Sequence, residues 1–291
     1  MAIRAHKLLG ESGLIDYVRH YLAFVERCQR PDGRFRNFMA ADGRWLDELG
    51  SEDAGGRAVW ALAFAARHSP QTEVRVRALR CLDATLGWLG ELRWLRPRAF
   101  ALLGLAAWRE AEPSPALDEL AQELACSLQA AFERASTADW LWFEDELTYC
   151  NARLPQALVG TAFSDTGLRA LAWLCQVLEQ GGCISLIGNR GWYRRGAERA
   201  VFDQQAVDAA ALVSACAAAF RRSGDARFRR WAELGYAWFH GRNPGRRPML
   251  DPETGGCYDG LTPEGVNLNQ GAESLLAWLL AWEDMAEQGW V

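Results

Sequence analysis

Lysine is nearly absent: Lys7 is the only one, and every other residue among the 32 strong bases is arginine. A P-loop, a kinase-type lysine or an internal Schiff base would each need a lysine beyond the N-terminal stretch, so those chemistries are excluded. A basic excess is missing too. The 32 bases face 37 acids, for a net charge of −5 with no long run of one sign, which argues against nucleic acid as a partner. No apolar run approaches the ~18 residues of a membrane span. The opening residues, Met1 to His6, lead into a polar stretch without the apolar core of a signal peptide. The eight cysteines make no C-x-x-C pair, and the histidines are only His6, His20, His68 and His240. None has metal-binding spacing, so no metal and no cofactor is expected. The serine elbow G-x-S-x-G is absent as well. These gaps predict a cytoplasmic protein whose acid–base chemistry falls to carboxylates.

What is abundant is apolar and aromatic. Half of the 291 residues are hydrophobic and 14 are tryptophan, ample material for one large core spanning residues 1–291 as a single domain. The periodicity is helical nearly throughout, with no alternating strand of any length. Helices are predicted over 12–29, 53–68, 71–89, 97–110, 114–134, 152–163, 165–180, 204–221, 225–241 and 268–286. They alternate in character. Some are amphipathic and arginine-rich, such as Val74 to Trp88; others, such as Ala206 to Phe220, are apolar on nearly every face and must be covered all round. Covered helices alternating with half-covered ones predict an all-α fold, an (α/α) toroid or barrel of five to six helical hairpins. The long connections, 30–52, 135–151, 181–203 and 242–267, all precede covered helices. Long loops in a compact fold usually carry function, so the face where those helices begin is the expected site.

Four polar clusters mark that face. Asp139 to Arg153 gathers Glu144 and Asp145 with Trp142, Tyr149, Asn151 and Arg153. Aromatic faces beside carboxylates, amides and arginine suit sugars, whose C–H faces stack on rings while their hydroxyls hydrogen-bond. Glu52 and Asp53, with Arg57 one turn on, open the second helix; helix capping accounts for one of those acids. Asp203 precedes Gln204 and Gln205 at the start of a buried helix, with Asp208 one turn in, and buried amides need partners. Tyr258 and Asp259 lie in a glycine-punctuated loop that runs through Asn269 to Glu273 on the last apolar helix. Trp192, followed by Tyr193, Arg194 and Arg195, adds rings and bases. Convergence of Asp53, Asp145, Asp203 and Glu273 in one cavity would raise at least one carboxyl above its usual pKa.

The stretches Trp142 to Asp145, Tyr149 to Gln156, Phe202 to Gln205 and Asn267 to Glu273 resemble the (α/α)-toroid proteins of the six-hairpin glycosidase superfamily. They are particularly similar to bacterial domains encoded beside, or fused to, glycosyltransferases. The resemblance implies that carboxylates at the mouth of the inner helices act as acid and base. Its epimerase branch uses histidines, which find no match here. The leading expectation is therefore a glycoside hydrolase acting on an oligo- or polysaccharide. Asp145 or Glu144 would be one partner, and Asp203 or Asp53 the other. Trp142, Trp192 and Tyr258 would form a sugar platform, and Asn151, Arg153, Gln204 and Asn269 would bind hydroxyls. A phosphorylase, with phosphate on Arg153 or Arg195, and a sugar epimerase or isomerase are the related alternatives. From a different class comes a non-catalytic glycan-binding module that partners a glycosyltransferase.

Overall fold

The computed structural model describes residues 1–291. Long-range contacts divide the chain into two units, residues 2–128 and residues 129–291 together with Met1.

In the first unit, α1 (Ala2–Leu9) leads into α2 (Leu14–Cys28). A stripe of Ile15, Val18 and Leu22 on α2 is buried, as its 3.6-residue spacing requires. The loop that follows turns at Gly33, whose φ of +79° and lack of a side chain let it lie against the Ala84 carbonyl. α3 (Glu52–His68) starts at Ser51, whose hydroxyl accepts the Ala54 N–H. α4 (Thr72–Asp83) and α5 (Leu86–Leu89) follow, then α6 (Leu95–Ala111). α3 and α6 pack backbone to backbone: a Cβ on Gly56 would fall 2.6 Å from the Pro97 carbonyl oxygen, and one on Gly104 2.9 Å from the Trp60 Cα. The division between units falls within α7 (Pro115–Ala135).

The second unit contains β1 (Glu146–Leu147), α8 (Arg153–Val159), α9 (Ser164–Leu178), β2 (Glu179–Gln180), β3 (Cys183–Ile184), β4 (Tyr193–Arg194) and β5 (Gln204–Gln205). α10 (Ala206–Ser223), α11 (Ala226–Phe239), β6 (Gly260–Thr262), β7 (Gly265–Asn267) and α12 (Ala272–Glu287) complete it. α10 is the hub. Its alanine-rich sequence is buried from Ala209 to Ala217, and α8, α9, α11 and α12 all pack on it. Gly224, at φ +70°, ends it in the left-handed conformation that glycine accepts without penalty. The strands pair antiparallel as β1–β4, β2–β3 and β5–β6–β7, the last with Gln204 opposite Leu261 and Gly260 opposite Asn267.

Ten predicted helices appear, with three corrections. The 71–89 helix breaks at Ala84 and Thr85, where the Thr85 hydroxyl donates to the Leu82 carbonyl. The 152–163 helix ends at Val159 before Gly160. Gln204 and Gln205 form a strand, not the first turn of a helix. Strands of two or three residues are too short to write a period-2 pattern. No helix is long and apolar enough to cross a membrane.

Candidate functional site

The site is built where β5 enters α10 and where the β6–β7 hairpin enters α12. Gln204 fixes the first junction. It is fully buried, and its Oε1 accepts the Leu186 N–H at 3.1 Å and the Trp238 Nε1–H at 2.8 Å. Its amide nitrogen donates to the Val201 carbonyl at 2.8 Å and to the Ser185 hydroxyl. A buried amide with every partner supplied is the arrangement that low dielectric demands. Its neighbours Asp203 and Gln205 are thereby held on the open side.

Asp259 fixes the second junction. Its Oδ1 accepts the Gly271 N–H at 2.7 Å and the Ser274 hydroxyl at 2.8 Å, and its Oδ2 accepts the Asn269 side-chain amide. Burial pushes the Asp259 carboxyl up, but the bonds from Asn269, Ser274 and Gly271 outweigh it and hold the carboxyl below its usual range. Asp259 is thus an ionised cap on α12. A Cβ on Gly271 would sit 2.8 Å from this carboxylate, so only glycine allows the approach.

Between the junctions lies a cavity of about 420 Å³. Its walls include Asp203, Gln205, Asp259, Glu273, Asn189 and Asn267. Asp203 accepts Arg190 Nε on Oδ2 at 2.9 Å, while its Oδ1 is buried with no partner. Glu273, in the first turn of α12, is exposed and has no ion-pair partner; it is not the buried acid its apolar helix suggested. Glu273 stands in the first turn of α12, where free N–H groups favour negative charge, and Asp203 directly precedes β5, which leads into α10. Side-chain hydrogen-bonding groups therefore dominate the polar walls, and the arrangement can bind several hydroxyls and move a proton between carboxylates.

The structure scatters the remaining expected residues. Asp203, Gln204, Gln205, Asp259 and Glu273 line this cavity; Asp145 does not. The Asp145 side chain is 80% exposed and pairs with Arg195 at 3.1 Å. Glu144 is half-buried, and its carbonyl accepts the Trp140 ring N–H. Trp142 corrects the sugar platform: it is fully buried, stacked on Trp173 with centroids 6.0 Å apart and edge-on to Phe143, so it presents no face to a ligand. Asn151 is also buried, and both ends of its amide bond the Thr148 backbone to shape a turn. Arg153 is buried and donates to Gln156 at 2.6 Å, and Tyr149 is half-buried. Asp208 accepts the Cys150 N–H at 2.6 Å, at a residue whose φ is +47°. Trp192 and Tyr258 are half-exposed, and Asn269 is spent on Asp259. In the first unit, Glu52 caps the Arg93 and Trp94 N–H groups, and Asp53 pairs with Arg57 at 3.0 Å. Arg57 also lies over the Phe100 ring.

Asn189, Arg190, Thr262, Asn267 and Ser274 were missed by sequence reasoning. The available signal was glycine. Gly188 lies so close to Phe202 that a Cβ would fall 2.1 Å from its carbonyl oxygen, and that contact sets Asn189 and Arg190 beside Asp203.

No protein-family model and no curated protein matches the chain. Among solved structures, a sugar epimerase from a ruminal bacterium superposes with a TM-score of 0.75 at 13% identity, covering 99% of this chain and 85% of that one. The fold is the (α/α) toroid. Cellobiose 2-epimerase from Spirochaeta thermophila shares this toroid at a TM-score of 0.72 and 14% identity, over 98% of this chain and 82% of its own. An unsaturated glucuronyl hydrolase specific for heparin matches less of the toroid: TM-score 0.57, 11% identity, 78% of this chain and 67% of the other. No histidine lines the cavity of the present chain.

Proposed function

We propose that this chain is a carbohydrate-acting enzyme, an epimerase or isomerase of a reducing sugar, with its site in the Asp203–Asp259–Glu273 cavity. The observation that carries the reading is the wall itself: three carboxylates from two separate helix entrances, interleaved with Asn189, Gln205 and Asn267, around a space of about 420 Å³. Such a lining matches a ligand made almost wholly of hydroxyls. The toroid shared with sugar epimerases supports rearrangement over cleavage, on fold analogy alone.

Epimerisation beside a carbonyl requires removal of a carbon-bound proton and its return on the opposite face. Asp203 and Glu273 supply two carboxyl groups for that exchange, one as base and one as acid. Asp259, held ionised by its three donors, serves as a hydroxyl acceptor and not as the acid. A second reading, glycoside hydrolysis, is favoured by one observation: the cavity holds carboxylates and no histidine, the equipment of a two-carboxylate glycosidase.

Proton NMR in D2O separates the two on a panel of reducing sugars that includes mannose and cellobiose. Epimerase or isomerase activity puts deuterium at C2 and produces a new sugar. Hydrolysis releases monosaccharide from disaccharide with C2 unexchanged. Asp203→Asn and Glu273→Gln should each lower turnover by about 10²-fold or more. Full activity in both variants refutes the site.

A further inference from the structure

Between α11 and the β6–β7 hairpin, the chain makes a tight loop that carries Arg242, Arg246 and Arg247, all exposed. None of the three guanidinium groups has a carboxylate within ion-pair distance or makes a side-chain hydrogen bond. Their neighbours on α11 behave differently: Arg227 pairs with Asp225, Arg229 with Glu233 and Arg230 with Glu179. Glu179, beside the β2–β3 turn, is therefore already taken. Glu179 accepts two bonds from Arg230 and one from the Trp231 ring N–H, which draw its carboxyl down to about 2 with a further contribution from Arg242. Arg242 lies over the β2–β3 turn, where a Cβ on Gly182 would fall 3.9 Å from its guanidinium nitrogen, and Arg246 and Arg247 follow it four and five residues on in the same loop. The three guanidinium groups are thus left without a direct ion pair on a chain whose net charge is −5.

The loop is rigid. Asn243 is buried, and its amide nitrogen donates to the Trp238 and Arg247 carbonyls at 2.8 and 2.7 Å while its oxygen accepts the Arg247 N–H. Gly245 lies against Leu261, where a Cβ would approach to 2.7 Å, and His240 bridges to Pro248 across the base. Arg246 occupies the left-handed region at φ +51°, a position that glycine or asparagine would hold with less strain. Three arginines on a fixed backbone lose less conformational freedom on binding than three on a mobile one. Guanidinium forks also match phosphate oxygens in bidentate geometry.

We propose that Arg242, Arg246 and Arg247 form a binding site for a phosphate-bearing group. The site is separate from the carboxylate cavity, whose walls contain no base, and does not depend on the reaction performed there. The phosphate could belong to a soluble ligand or to a lipid headgroup, and the probes distinguish these. Inorganic pyrophosphate is titrated by calorimetry at low and high salt, and sedimentation is measured with vesicles of phosphatidylcholine alone or with 30% phosphatidylglycerol. Binding to pyrophosphate identifies a soluble ligand, and binding to the anionic vesicles alone identifies a headgroup. In either case the triple variant Arg242→Gln, Arg246→Gln, Arg247→Gln should bind at least tenfold more weakly. Arg221→Gln with Arg222→Gln, at the end of α10, should bind as the unaltered chain does. Arg246→Gly is the second test: it should weaken binding about threefold while raising the melting temperature, because the strain is relieved as the charge is lost. No binding to either probe, or binding untouched by the triple variant, overturns the proposal.

Discussion

Replacing Gln204 by leucine tests whether this side chain serves the scaffold or the ligand. The volumes are close, so little void is created, and the cost comes from stranded polar groups. The Leu186 N–H and the Trp238 ring N–H lose their common acceptor, and the Val201 carbonyl loses its donor. Each buried group left unpaired costs about 1–3 kcal/mol. Three of them, partly offset by the gain from burying an apolar side chain, give a net loss of about 3–6 kcal/mol. That is a large share of the ~5–15 kcal/mol that keeps a domain folded. At about 2 °C or more per kcal/mol in a chain of this size, the melting midpoint should fall by roughly 6–12 °C. Thermal denaturation followed by circular dichroism measures it, with urea unfolding as the independent check. Gln205→Leu is the matched control: Gln205 is half-buried on the cavity wall, so its loss should alter turnover while shifting stability by less than about 1 kcal/mol. If Gln204→Leu is also within about 1 kcal/mol of the unaltered protein, the hydrogen-bond accounting is wrong and Gln204 is no scaffold.

Trp142→Ala should cost about 3–5 kcal/mol, the usual range for truncating a buried tryptophan, read as a shift in the urea midpoint. Gly188→Ala places a methyl group against the Phe202 backbone, so the 188–190 loop must move; reduced turnover with the helical signal retained is the expected outcome, measured by activity beside circular dichroism. Asp259 has its folded pKa below its unfolded one. Its stabilisation is therefore complete above the ordinary carboxylate pKa, near 3.9, and is lost as pH falls through the lower folded value. Melting temperatures from pH 6 down to pH 2 should drop more steeply for the unaltered chain than for Asp259→Asn, and parallel curves would contradict the cap.

The helices were legible because burial writes a 3.6-residue period, and Ile15, Val18 and Leu22 on α2 obey it. The loops that shape the cavity were less so. Asp203, Asp259 and Glu273, which share the cavity wall, stood out as acids in polar segments that lead into apolar helices, yet Asn189 on the same wall carries no local signal. Trp142 misled for a physical reason. Aromatics beside acids describe a sugar platform and a packed core equally well in one dimension, and only burial separates them. Gln204 and Asp208 misled in the same way, since a polar residue near a functional mouth can be spent on the scaffold: Gln204 bonds the Leu186 and Val201 backbone and the Trp238 ring, and Asp208 accepts the Cys150 N–H.

The bonds of Asp259 have a consequence for how this scaffold can change. Its carboxylate grips Gly271 and Ser274, and its own N–H reaches the Asn269 carbonyl, so the segment from Gly260 to Gln270 is closed at its root like a purse on a clasp. The tip at Pro263 and Glu264 is exposed. Tips of other lengths and sequences can be spliced there without loosening the helix behind it, and they would reshape one rim of the cavity. A library confined to that turn, with Asp259, Asn269 and Ser274 kept, is therefore a route to altered ligand preference on an unaltered frame.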